Sequence, residues 1–167
     1  NYTRRASSVA HIGALDLGGD NPIRIQSMTT TNTNDTDACV RQAEEIIKAG
    51  GELVRFTTQG SREAENMKNI NAGIRADGYQ TPLVADVHFN PNVADVAALY
   101  CEKVRVNPGN YVDPARKFIK QEYTDEEYAH ELQKIEERFV PFLNICKEHH
   151  TAIRIGVNHG SLSDRIR

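Results

Sequence analysis

The sequence predicts an α/β fold: a partial (β/α)8 barrel with five parallel strands, an N-terminal hairpin and one long inserted helix. Three observations lead there. Short apolar runs alternate with stretches that are apolar every three or four residues, the strand–helix–strand rhythm of parallel pairing through right-handed crossovers. Four of the apolar runs carry charged or amide residues to their carboxyl ends: Leu53 to Thr57, Leu83 to His88, Lys103 to Asn107 and Ile153 to Asn158. The length of 167 residues suits one domain with a real core, but falls short of the roughly 250 residues of a complete eight-stranded barrel.

Taken in order, apolar positions from Val9 to Ile25 flank Gly18-Gly19-Asp20-Asn21-Pro22, which predicts a hairpin turning at the glycines. The first main strand is expected over Ile23 to Met28, followed by a polar loop from Thr29 to Asn34. Asp35 or Thr36 can cap a helix with Ala43, Ile46 and Ile47 on one face, ending at Gly50-Gly51. Strand two runs from Leu53 to Thr58. Ser61 is placed to cap a helix in which Ala64, Met67, Ile70 and Ile74 recur at helical spacing. Strand three, Leu83 to His88, meets Asn90-Pro91, an N-cap with proline in the first turn of a short helix to Tyr100. Strand four is Lys103 to Asn107, ended by Pro108-Gly109. Thr124 and Glu127 form a capping box for one long helix carrying Tyr128, Leu132, Ile135, Phe139, Leu143 and Cys146, with Pro141 expected to bend or split it. Strand five is Ile153 to Asn158.

With 20 Lys+Arg against 23 Asp+Glu the formal net charge is -3, so no overall basic field favours nucleic acid or anionic lipid, and any anion site must be local. No apolar run reaches the length of a membrane span, and no secretory signal is visible; the expectation is a cytoplasmic protein. Cys39, Cys101 and Cys146 form no paired motif, so neither a disulfide framework nor a metal site is readable from their spacing.

Aligning the strands by their apolar faces places Arg55, Asp86, His88, Arg105, Asn107, Arg154 and Asn158 on the inner face, near the carboxyl ends where α/β folds bind ligands. A single strand arginine more often serves an ion pair. Here the arrangement repeats across four strands, with Asp86 as the one clear inward carboxylate. The planar donor fork of arginine suits phosphate oxygens, so the pattern points to a multiply charged anion, most simply a diphosphate. His88 shares a face with Asp86. His11, His130, His149 and His150 lack such context, and Gly18-Gly19 is not a phosphate loop because no Lys-Ser/Thr follows it.

At these residues the chain resembles the (E)-4-hydroxy-3-methylbut-2-enyl diphosphate synthase family of isoprenoid biosynthesis. The matching pieces are Gln26-Ser27-Met28-Thr29, Val54-Arg55, Leu83 to Phe89, Arg105 to Asn110, and Arg154 to Leu162. The long acidic helix resembles the family's large form. The resemblance implies that residues 1–167 are the N-terminal part of a TIM-type substrate-binding barrel, with the iron–sulfur domain absent from this chain. It implies an oxidoreductase that opens methylerythritol cyclodiphosphate reductively to hydroxymethylbutenyl diphosphate. The electrons would come from a [4Fe-4S] cluster bound outside this chain and supplied by ferredoxin or flavodoxin. Carried onto this sequence, Arg55, Arg105 and Arg154 would grip the diphosphate, with Asn107, Asn158 and Ser161 as further donors. Asp86 and His88 would act at the carbon skeleton or hydroxyls as the catalytic pair, and Gln26 and Ser27 would lie at the site floor. No metal ligand is expected among Cys39, Cys101 and Cys146. The chain alone is expected to be inactive and, with two open sheet edges, to form a homodimer. Two other readings remain: a different diphosphate-binding barrel synthase, of the pterin type, and a non-catalytic anion-binding module.

Overall fold

The structure, a computed structural model, describes residues 2–88, 90–111 and 124–158. A two-stranded antiparallel hairpin, β1 (Val9–Ile12) and β2 (Leu15–Gly18), precedes five parallel strands. These are β3 (Gln26–Met28), β4 (Leu53–Thr57), β5 (Leu83–Asp86), β6 (Lys103–Val106) and β7 (Ala152–Ile155). They lie side by side in chain order, as strands of a (β/α) barrel do. The connections hold helices α1 (Thr36–Lys48), α2 (Ser61–Ala76), α3 (Pro91–Tyr100) and α4 (Asp125–Glu148). No helix among the described residues is long and apolar enough to cross a membrane.

Strand alternation divides the sheet into two faces. Val54, Phe56, Leu83, Ala85, Val104 and Val106 meet the helices and join Ala64, Met67, Ile70, Ile74 and Val93 in the main core. Phe142 brings α4 into this core. Its ring lies 6.2 Å from that of Tyr111 and 5.8 Å from that of Phe139, and burying a side chain of this size contributes about 1.5–3 kcal/mol. Arg138 then ties α4 to α3 through Asn92 and Asp95, at 2.9 and 2.8 Å. On the opposite face a second apolar cluster joins Ile12 of the hairpin to Leu53 and Val84, closing the amino end of the barrel.

That closed end is fastened by the same device twice. Glu52, just before β4, accepts the backbone N–H of Ile25 at 2.9 Å and Nη1 of Arg24 at 3.1 Å. Glu102, just before β6, accepts the N–H of Leu83 at 2.9 Å and Nη2 of Arg75 at 2.6 Å. Each carboxylate satisfies a donor at the start of the neighbouring strand and neutralises an arginine. Arg24, whose Nε also donates to the Asp16 carbonyl at 2.8 Å, thus holds the hairpin under the barrel.

Four local expectations need correction. The hairpin reverses at Gly13-Ala14, where Gly13 has φ +58, and not at Gly18-Gly19, which end β2. The first parallel strand begins at Gln26 rather than Ile23, because the Ile25 N–H is taken by Glu52 and Pro22 has no N–H to offer. Gly60, not Ser61, occupies the N-cap of α2, without a side-chain cap. Helix α4 continues through Pro141 as one element, so the proline does not split it. The expected caps at Asp35, Asn90 and Thr124 are present, each accepting a first-turn N–H.

Candidate functional site

Register aligns the inward residues in two rungs. The upper rung is Thr57, Asp86, Arg105 and Arg154; the lower one is Met28, Arg55, Val84, Lys103 and Ala152. Since residues paired in a parallel ladder share a face, Arg55, Lys103, Arg105 and Arg154 all stand on the barrel side. Asp86 is the carboxylate among them.

Asp86 is the hub, at 2% exposure. Its Oδ2 lies 3.2 Å from Nη2 of Arg55 and 3.3 Å from Nε2 of His88, while its Oδ1 lies 3.5 Å from Nη1 of Arg105. The same Nη1 approaches Nδ1 of His88 at 2.9 Å. A guanidinium has only donors, so Nδ1 must be the accepting nitrogen, and the ring carries its hydrogen on Nε2, directed at Asp86. One carboxylate therefore orients two arginines and fixes the tautomer of one histidine.

The arrangement leaves donors in reserve. Nε of Arg55 and Nδ2 of Asn107 are buried without a protein partner among the described residues. Asn107 spends its other amide atom on structure: Oδ1 accepts the Gly109 N–H at 3.1 Å and caps the short turn Pro108–Asn110. Buried donors without partners are uncommon and costly. Their orientation beside cations suits an incoming oxyanion.

Arg105 is held from its far side by backbone. Its Nη2 lies 3.5 Å from the Gly156 carbonyl, and a Cβ at Gly156 would stand 2.7 Å from Nη2 and 2.8 Å from Cζ. Gly156 is needed here for space.

Of the residues expected from sequence, Arg55, Asp86, His88 and Arg105 come together in direct contact, and Asn107 follows Arg105 on the same side. Arg154 stands beside Arg105 in the upper rung but on the exposed edge strand, with Asn158 exposed beyond it. Gln26 pairs with Leu53, at the level of the apolar plug. Ser27 pairs with Val54, is exposed, and points to the face opposite that of Gln26. Ser161 lies outside the described residues.

Sequence reasoning missed Lys103, which is 6% exposed. Burial first, then the charges of Arg154 and Arg55, push its ammonium below the ordinary lysine range. The signal was available, two residues before Arg105 on one strand. It also missed the steric role of Gly156, which no periodicity reveals.

Among the described residues no three of His, Cys, Asp and Glu group as metal ligands. Cys39, Cys101 and Cys146 are free and buried on separate elements. Burial raises all three thiols, that of Cys146 to about 12, which disfavours the thiolate a metal needs. These residues do not fit an iron–sulfur cluster.

Comparison with known proteins gives a consistent pattern. A family model described as the GcpE TIM-barrel domain matches residues 7–167. The 4-hydroxy-3-methylbut-2-en-1-yl diphosphate synthase (flavodoxin) of Phocaeicola vulgatus is 76% identical over 166 residues, covering 99% of this chain and 27% of that protein. The protein of the same name from Akkermansia muciniphila is 52% identical over 165 residues, covering 99% of this chain and 28% of its own length. The chain thus spans about a quarter of these relatives. Among solved structures, a dihydropteroate synthase of Burkholderia cenocepacia in complex with 7,8-dihydropteroate superposes with TM-score 0.52 at 16% identity, over 94% of this chain and 65% of that one. The likeness is one of fold.

Proposed function

Since this chain belongs to the GcpE TIM-barrel family of 4-hydroxy-3-methylbut-2-en-1-yl diphosphate synthases, we propose that its cationic face grips the diphosphate of methylerythritol cyclodiphosphate. The protein carrying it would open that ring reductively to hydroxymethylbutenyl diphosphate. The observation that carries the reading is the charge imbalance of the site. Arg55, Lys103, Arg105 and Arg154 share one face with Asp86 as the facing carboxylate among the described residues. Structural ion pairing alone would call for nearer balance, and a bound diphosphate supplies it.

In this reading the chain's own groups bind and orient. Arg55 and Arg105, set by Asp86, donate to phosphate oxygens; Asn107 Nδ2 adds a neutral donor, and Arg154 and Asn158 cover the outer side. Ser161 is proposed as a further donor. His88 is proposed to act at the carbon skeleton or its hydroxyls, and Asp86 to act through the residues it positions. Gln26 serves at most as floor. A [4Fe-4S] cluster held by other residues of the protein would supply the two electrons that ring opening consumes. The names of the relatives, which include flavodoxin, support flavodoxin as the donor. The chain on its own is proposed to bind without turnover. The edges of β3 and β7, unpaired among the described strands and with Ile155 and Val157 exposed, suit further strands or a second copy.

Calorimetric titration with methylerythritol cyclodiphosphate, with inorganic diphosphate as control, tests the reading. Binding that Arg105→Ala weakens at least tenfold, with the fold intact by circular dichroism, is the expected result. An Arg105→Ala variant that loses as much stability in phosphate-free buffer as affinity would favour a structural ion-pair module instead.

A further inference from the structure

We propose that Lys103 is the deep cation of this site, donating to the innermost phosphate oxygens and neutralised by them; the inference rests on the diphosphate reading above. Lys103 opens β6 on the barrel side, flanked across the ladder by Val84 and Ala152. Beneath it lies the apolar cluster of Ile12, Leu53 and Val84. Arg55 stands in its own rung beyond Val84, and Asp86, Arg105 and Arg154 form the rung above.

No carboxylate lies within ion-pair distance of Lys103 among the described residues. Asp86 is already engaged by Arg55, Arg105 and His88. A lysine at 6% exposure among other cations, with no carboxylate partner among the described residues, is unfavourable for the empty protein. An anion entering between the two rungs meets its ammonium directly. The lowered proton affinity of the ammonium fits that picture, since a bound polyanion restores the charged form and draws in a proton.

The test is titration of the full-length protein carrying this sequence with inorganic diphosphate, at neutral and alkaline pH, in two buffers of unlike ionisation enthalpy. Expected are binding by the wild type with net proton uptake at alkaline pH, and at least a tenfold loss of affinity in Lys103→Met together with loss of that uptake. Lys103→Arg, whose charge does not titrate, should hold its affinity across the alkaline range in which that of the wild type falls. Equal affinity and equal uptake in wild type and Lys103→Met would overturn the proposal while leaving the site intact. Parallel pH profiles for wild type and Lys103→Arg would overturn it even if Lys103→Met failed to fold. Absence of wild-type binding would instead overturn the diphosphate reading on which it rests.

Discussion

Gly156 and Arg105 interlock: the guanidinium fills the space a side chain on residue 156 would occupy, with Cζ 2.8 Å from the position of its Cβ. The strand that follows the long helix therefore shapes the central arginine of the strand before it. Gly156→Ala must push Arg105 off Asp86 and His88. Loss of one charge-assisted contact is worth about 1.5–3 kcal/mol, or roughly a tenfold to hundredfold loss of diphosphate affinity. Titration of the variant checks this, and unchanged affinity would mean that Arg105 has another productive position.

Asp86→Asn removes the counter-charge for Arg55 and Arg105 without removing the hydrogen-bonding shape. In phosphate-free buffer of low ionic strength the variant should lose about 3 kcal/mol of stability, the lower end of the range for breaking a buried pair. Added diphosphate should return much of it, because the anion takes over the role of the lost carboxylate. Denaturant melts with and without diphosphate measure both effects. A variant as stable as the wild type in phosphate-free buffer would show that Asp86 does not hold the arginines together.

Lys103 predicts a pH dependence of stability with a definite sign. Its folded proton affinity is lowered mainly by burial, so the unfolded chain binds the proton more readily and stability rises with pH between the lowered value and the ordinary 10.5. Lys103→Met should therefore be more stable than the wild type at neutral pH, with an advantage that shrinks as pH climbs toward that ordinary value. Urea melts of the two proteins at neutral and alkaline pH give the comparison. An advantage that grows with pH contradicts the buried-cation account.

Glu102→Ala should destabilise the amino end and leave binding nearly unchanged in the protein that remains folded. It strips the Leu83 N–H and Arg75 of their shared acceptor, a cost of about 2 kcal/mol. Thermal denaturation measures the loss, and titration of the folded variant shows whether it reaches the carboxyl-end site.

Much of this protein was determined by local sequence. Helical spacing at Ala64, Met67, Ile70 and Ile74, caps at Asp35, Asn90 and Thr124, and alternating strands with apolar outer faces are properties of neighbouring residues, and they specified the order of elements. The inner face followed from the same alternation, so Arg55, Asp86 and Arg105 could be grouped before any coordinates. Tertiary structure decided what depends on residues far apart in the chain. The hairpin turned at Gly13, and pairing with β4 set the register of Ser27. Lys103 became a buried cation because an apolar cluster lies below it and arginines gather beside and above it. Gly156 mattered only once Arg105, 51 residues earlier, lay across it. Propensity and periodicity act over a few residues, whereas burial, charge balance and steric room are set by the whole fold.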